Sequence, residues 1–404
     1  MEDAGHRAAV EAALAFEGGG RTPVNNFALV TAARSAGVLV KDARYSPEAS
    51  ARLAVDYALK TGSDFVKPVL DSQVPFADMG MDVSFPDDDY GRVKSRLVRG
   101  PEDVSELAFF DPSAAEECPL FTRCFTEALR KTAEYLPEDL HVCGLSWGPI
   151  TTAGYLMGVE DMLMAIMMGQ GEDVKGLVSK CAGFVADQQV QMVRSGATLM
   201  WVADPTSSTD LIAPDMFGEY SAFAIEDSIS RVKGECGVPA FLHICGNTTG
   251  IFPEIKATGA DCFSFDHAVD IGDAREAAGR DLAIMGNIDP VKHIMMGTPE
   301  GITREAYRLI AAAGTDGGYI LAPGCETPIS SPDANVAALG RAGRSFWEDR
   351  RRVPLPSGPS AYCSSSMPAT STARNRNSSG ASAWPEKRYP NAVETTVPHP
   401  AHTA

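Results

Sequence analysis

"PAFLHICGNTTG" (239–250) is an apolar, β-prone run that stops abruptly at a glycine and an asparagine. Such an uninterrupted run suits a strand buried on both faces, as in a parallel sheet, because a half-exposed strand would alternate apolar and polar residues. The same shape recurs along the chain. "TPVNNFAL" (22–29), "DFVKPVLD" (64–71), "LHVCGLSWGP" (140–149) and "TLMWVADP" (198–205) precede it. "CFSFDH" (262–267), "AIMGNIDP" (283–290) and "YILAPGC" (319–325) follow.

Stretches with helical spacing fill the intervals, among them "SPEASARLAVDYALKTG" (46–62), "FTRCFTEALRKTAEYL" (121–136) and "TREAYRLIAAAG" (303–314). Ser46 and Pro47 make a good helix start, and Gly62 a good stop. Strands alternating with helices imply a parallel sheet. Eight such units can close into a single-domain α/β fold, the (β/α)8 TIM barrel, placed here over residues 1–352. An open doubly wound sheet is the runner-up, but no Gly-x-Gly-x-x-Gly follows the first strand. "EGGGR" (17–21) precedes a strand and is expected to be a plain turn. The Met-rich "MLMAIMMGQ" (162–170) is expected to pack a barrel helix. Residues 353–404 are rich in Ser, Pro, Ala and Thr and show no period, so a disordered tail is expected there. Its Cys363, His399 and His402 are given no role.

Charge narrows the function classes. The formal net charge is −18, which repels phosphate backbones and anionic lipid, so neither nucleic acid nor a membrane surface is expected as partner. No apolar run reaches transmembrane length, and Met1-Glu2-Asp3 opens no secretory signal; a cytoplasmic setting is expected. Nine cysteines in a chain this long are then free thiols, with some available as metal ligands.

In a parallel barrel the C-terminal strand ends and the following loops build the active face. His243 and Cys245 stand two apart at one such end, and residues i and i+2 of a strand project to one side. Cys325 closes the eighth predicted strand. One imidazole and two thiolates suit zinc, a borderline-soft ion, and three protein ligands with one exchangeable position is the catalytic pattern. A pair of packed core residues is the alternative, since no Cys-x-x-Cys knuckle is present.

The series HICGNT (243–248), then the distant APGC (322–325) followed by "TPISSPDANVAAL" (327–339), resembles the methylcobalamin:coenzyme M methyltransferases of the uroporphyrinogen decarboxylase superfamily. "GPITTAGYLMG" (148–158) and "MGNIDP" (285–290) agree with it, and the resemblance spans residues from about 8 to about 348. It implies that His243, Cys245 and Cys325 hold Zn2+. It implies further that a small thiol such as coenzyme M receives a methyl group from methylcobalamin or another corrinoid supplied by a partner protein. The reverse traffic, methyl passing from a methoxylated or methylated substrate to the corrinoid protein, is an alternative within the superfamily. A non-catalytic barrel stapled by zinc is another.

Asp266 resembles, by its offset from the His-x-Cys pair, a carboxylate of cobalamin-independent methionine synthase, and is expected to complete or orient the zinc shell. His267 and Glu326 are its rivals, and capping of the next turn is the plainer role. Asp71 resembles the aspartate that uroporphyrinogen decarboxylases use in catalysis. The arginine-bearing segment those enzymes need has no counterpart in "VNNFALVTAARSAGV" (24–38), which argues against decarboxylation. Asp204, Asp289 and Asn247 follow strands and either line a cofactor pocket or hold their turns. His293 is expected to be structural.

Overall fold

Sequence neighbours are spatial neighbours throughout the main sheet. The strands are Phe65–Val66 (β1), Val83–Ser84 (β2), Arg92–Val93 (β3), His141–Trp147 (β4), Leu199–Ala203 (β5), Ala240–Ile244 (β6), Cys262–Phe265 (β7), Ala283–Ile288 (β8) and Tyr319–Pro323 (β9). Seven of them run parallel in the order β1-β4-β5-β6-β7-β8-β9, and β2 and β3 form a separate antiparallel hairpin. This computed structural model describes residues 5–352 apart from 19, 69, 137 and 138; the segment 353–404, expected to be disordered, lies outside the described residues with Cys363, His399 and His402.

The sheet curls until its two edges meet. Between β9 and β1 lies the first predicted strand, reduced to a single parallel bridge, Val24 to Leu321. Asn25 N–H donates to the Leu321 carbonyl at 2.9 Å, and Leu321 N–H donates to the Pro23 carbonyl at 2.9 Å. On the other flank Asp64 N–H donates to the Val24 carbonyl at 2.7 Å. The buried Asp64 carboxylate accepts Val24 N–H at 2.7 Å and pairs with Arg21 and His6. The barrel is therefore closed, with seven strands and a short eighth seam. That seam is shorter than the predicted 22–29 because Asn25 and Asn26 turn the chain. Their side-chain oxygens accept the N–H groups of Phe27 (2.9 Å) and Ala28 (3.2 Å) two residues on, a local alternative to the ladder. Phe27 accordingly has φ 42°.

The helix expected at 46–62 runs Pro47–Thr61; Ser46 Oγ accepts Ala49 N–H at 3.2 Å, and Gly62 ends it at φ 72°, a left-handed turn that costs glycine nothing. The Met-rich stretch ends the helix Val159–Met167 and forms the turn before the helix Gly171–Arg194. Met162 packs inward as expected, whereas Met164, Met167 and Met168 are exposed. No described helix is long and apolar enough to cross a membrane.

Alternation along the strands fills the interior. Phe65, Trp201 and Phe241 are fully buried, with ring centroids 5.7 Å apart for Phe65–Phe241 and 6.3 Å for Trp201–Phe241. Each such side chain contributes about 1.5–3 kcal/mol by leaving water. These rings plug the barrel below its mouth and make it a packed core instead of a channel.

Candidate metal centre

β6 ends in Phe241-Leu242-His243-Ile244, so His243 continues the inward row begun by Phe241, and Cys245 follows it on the same side just beyond the strand. Gly246, at φ 74°, turns the chain away at once, leaving Cys245 at the rim. Three strands away, β9 gives way to Gly324 and Cys325. Gly324 lies against the loop after β7; a Cβ there would come within 2.5 Å of His267 N. That close approach brings Cys325 to the pair on β6.

The three side chains converge. His243 Nε2 lies 3.1 Å from Cys245 Sγ, which lies 3.5 Å from Cys325 Sγ, and the three donor atoms all fall within 4.8 Å of one another. A tetrahedral zinc about 2.0–2.3 Å from each ligand would set neighbouring donors about 3.5–3.8 Å apart. The His243–Cys245 and Cys245–Cys325 separations are within a few tenths of an ångström of those values, and the set's N and S chemistry is zinc's own. His243 is 2% exposed and its Nδ1 lies 2.9 Å from Ser264 Oγ. Ser264 sits on β7 directly opposite His243 in the parallel register. With Nδ1–H donated to Ser264, Nε2 presents its lone pair to the thiols, the usual way a ligating imidazole is oriented. The sulfurs share a contact that splits their acidities. The hydrogen bond from Cys245 holds the Cys325 thiol well below the ordinary thiol range, and the same bond, with burial, pushes Cys245 up.

Asp204, Asp266 and Asp289 directly follow strands, as expected, but lie outside this donor cluster; Asp71, expected to close the strand 64–71, lies in the loop beyond it because β1 stops at Val66. Asp266 is the nearest in sequence to β7: its Oδ1 accepts Ala268 N–H at 3.0 Å and lies 2.6 Å from His267 Nδ1. Asp289 Oδ1 accepts the N–H groups of Val291 (2.9 Å) and Lys292 (2.8 Å), capping the turn Pro290–Met295, which also carries His293. Asp289 and His267 also border a cavity of about 370 Å3 with Lys292 and Arg308. Asp204 is fully buried, and its Oδ1 accepts Thr151 N–H at 2.8 Å in the first turn of the helix Pro149–Met157. Burial pushes its carboxyl up to about 6. Asn247 is exposed, and its Oδ1 accepts Thr249 N–H at 3.1 Å.

Asp71 belongs to a longer chain of contacts. Arg44 Nε donates to its Oδ2 at 2.7 Å, and Gly91 N–H to the same oxygen at 2.8 Å. Arg44 also donates to the carbonyls of Pro86 and Asp89, so this buried pair pins the loop that carries Tyr90. The Tyr90 hydroxyl donates to Glu326, next to Cys325. Burial pushes the Glu326 carboxyl up to about 8.

Sequence reasoning missed Ser264 and Lys67. Ser264 carried a faint signal, the lone polar residue inside an apolar strand. Lys67 carried a stronger one: it interrupts "DFVKPVLD" two residues after Phe65, on the side that faces inward.

Residues 6–346 match the family model described as uroporphyrinogen decarboxylase (URO-D). The chain belongs to that family. A methylated-thiol–coenzyme M methyltransferase of Methanosarcina mazei is 28% identical over 284 residues, 70% of this chain and 72% of that protein. A methylcobamide:CoM methyltransferase of Methanosarcina acetivorans is 28% identical over 254 residues, covering 63% of this chain and 71% of its own length. Decarboxylases match as well: the Oryza sativa chloroplast uroporphyrinogen decarboxylase is 27% identical over 293 residues, 71% of this chain and 68% of that protein. Among solved structures, a methyltransferase from Methanosarcina mazei superimposes with a TM-score of 0.75 at 22% identity, over 85% of this chain and 99% of the other, a likeness of fold.

Proposed function

We propose that this member of the URO-D family is a zinc-dependent methyltransferase that moves a methyl group between a corrinoid, supplied by a partner protein in the cytoplasm, and a small thiol. The observation that carries the reading is the convergence of His243, Cys245 and Cys325 at the mouth of the barrel. The methyltransferase relatives support the corrinoid and the thiol.

Zinc held there would keep a substrate thiol, with an ordinary pKa near 8.5, deprotonated at neutral pH. The protein's residues do the rest. Two cysteine sulfurs offset the charge of a divalent ion, so a bound thiol keeps its nucleophilicity. Ser264 fixes the imidazole of His243. Phe27 meets that ring edge-on and Trp201 lies tilted to it, at centroid distances of 5.1 Å and 6.1 Å. Asp266 and His267 stand beside the cluster as orienting neighbours, and the fourth position is left to the thiol. Asp71 acts at a distance, by holding the loop that carries Tyr90. Asp204, Asp289 and Asn247 shape the rim to which the corrinoid carrier docks.

The test is thiol-dependent demethylation of methylcobalamin, followed by loss of the alkyl-cobalt absorbance, with zinc measured in the same preparation. Turnover that needs both thiol and zinc is expected. Decarboxylation of uroporphyrinogen that survives chelation, with no demethylation, would replace this reading with the decarboxylase one.

A further inference from the structure

Two arginine or lysine residues are buried as whole residues among those described, Arg44 and Lys67. Arg44 has its carboxylate, Asp71, at 2.7 Å. Lys67 has none. It is 4% exposed, and its Nζ lies 4.3 Å from the Phe27 ring centroid and 4.2 Å from that of Trp201, with no hydrogen-bond partner among the described residues. The Trp201 indole N–H beside it also lacks an acceptor there. Both rings also touch His243, so this ammonium sits one aromatic layer from the metal-binding imidazole.

An ammonium carries three donors, and aromatic faces attract its charge without accepting those bonds as an oxygen would. A buried, unpaired charge costs several kcal/mol. Deprotonation does not remove that cost: burial pushes Lys67 down only to about 8, so at pH 7 the charged form still leads by about ten to one. No carboxylate among the described residues forms an ion pair with Lys67, and the nearby Glu326 carboxylate is taken by the Tyr90 hydroxyl. Two orphan donors and an uncompensated positive charge together call for an acceptor-rich anion. The acidic surface, with a net charge of −18, would repel such a ligand unless an interior cation held it.

We propose that Lys67 selects the substrate by its far end, binding an anionic group, carboxylate or sulfonate, carried by a short thiol whose sulfur lies at the metal site. This deepens the thiol-methyltransferase reading and rests on it. Charges then match in two places: the substrate sulfur at the His243–Cys245–Cys325 cluster and the substrate tail at Lys67.

Equilibrium binding separates the two claims. Cobalt(II)-loaded full-length protein is titrated with 3-mercaptopropanoate, 2-mercaptoethanesulfonate and neutral 2-mercaptoethanol, reading the sulfur-to-cobalt charge-transfer band. The wild type should bind at least one anionic thiol about tenfold or more tighter than the neutral one, and the tighter of the two names the tail. Lys67→Met should weaken that thiol about 10–100-fold, the range of a charged hydrogen bond, and leave 2-mercaptoethanol within about twofold. Lys67→Arg should keep most of the preference. Propanoate or ethanesulfonate, added to the wild type, should compete with the matching anionic thiol and not with 2-mercaptoethanol, a result that needs no variant to fold. Equal affinities in the wild type, or equal weakening of all three thiols in Lys67→Met, would overturn the role of Lys67 and leave the methyltransferase reading standing. A band that no thiol perturbs would overturn both.

Discussion

The ends of β6 and β9 differ from the ends of β5 and β8 in what their polar atoms face. At β6 and β9 an imidazole nitrogen and two sulfurs face one another, and no backbone N–H claims the ring nitrogen that faces them. At β5 and β8 the carboxylates accept backbone N–H groups of helical turns, Asp204 from the helix Pro149–Met157 that follows β4 and Asp289 from the turn after its own strand. Both kinds of residue sit where a barrel enzyme keeps its chemistry. Position at the mouth therefore nominates a residue, and the fate of its lone pairs separates a ligand from a cap. Oxygen is a good acceptor for peptide N–H and is readily taken by the turn. Sulfur is a poor one: the Glu326 backbone reaches Cys325, and that sulfur still has lone pairs to offer a metal.

The largest expected effect breaks the first half of that contrast. Loss of the partner of a metal ligand alone costs roughly 10–100-fold in metal affinity. Removing a ligand itself, by Cys325→Ala or His243→Ala, should therefore lower zinc affinity by more than about a hundredfold and abolish demethylation. Competition against a chromophoric chelator measures it. Asp289→Ala should keep its zinc. If Asp289→Ala lost metal as fully as Cys325→Ala, the distinction between ligand and cap would be wrong.

A second prediction concerns Asp71, which lies in the loop beyond β1 and answers to a buried cation. Asp71→Ala leaves the Arg44 guanidinium, 1% exposed, without its counterion. Breaking a buried pair from one side costs about 3–5 kcal/mol. Urea unfolding should show a loss of that size, with zinc content unchanged in the folded protein. A loss below about 1 kcal/mol would mean that Arg44 has found another partner, and that Asp71 is free for substrate.

Much of this was legible in the sequence. The continuous apolar runs and the helical stretches between them placed the barrel, and the His243–Cys245 spacing with a remote Cys325 placed the donor cluster. What was not legible depends on three-dimensional registration. The first strand looks as good as the others in composition, yet the side chains of Asn25 and Asn26 fold back onto the chain and shorten it to a bridge. Ser264 matters only because β7 aligns it with His243, and no one-dimensional pattern carries that register. Arg44 lies 27 residues before Asp71, and nothing in one dimension pairs them. Asp266, His267 and Glu326 were rivals for one place on spacing alone. The convergent donors are His243, Cys245 and Cys325, while Asp266 pairs with His267 and Glu326 accepts from Tyr90, contacts that spacing does not reveal.

The smallest effect isolates a cap by pH. A Cβ at Gly148 would lie 2.3 Å from Asp204 Cγ, so this glycine lets the carboxyl sit against the start of the helix Pro149–Met157. Burial there raises Asp204 from 3.8 to about 6. Below about pH 4 the group is protonated folded or unfolded and carries no penalty. As pH rises through 6, the unfolded chain ionises freely while the folded one must ionise in a dry site, so the stability that protonated Asp204 contributes is lost. Asn at this position keeps an oxygen for Thr151 N–H and cannot ionise. Asp204→Asn should thus gain on the wild type between about pH 4 and pH 6 and level off above, by at most about 3 kcal/mol at 1.36 kcal/mol per pKa unit. Every other titrating group is common to the two proteins, so the difference between their unfolding curves reports Asp204 alone. A flat difference would mean that Asp204 is ionised throughout, as a carboxylate facing a ligand would be, and would move it from the caps to the site.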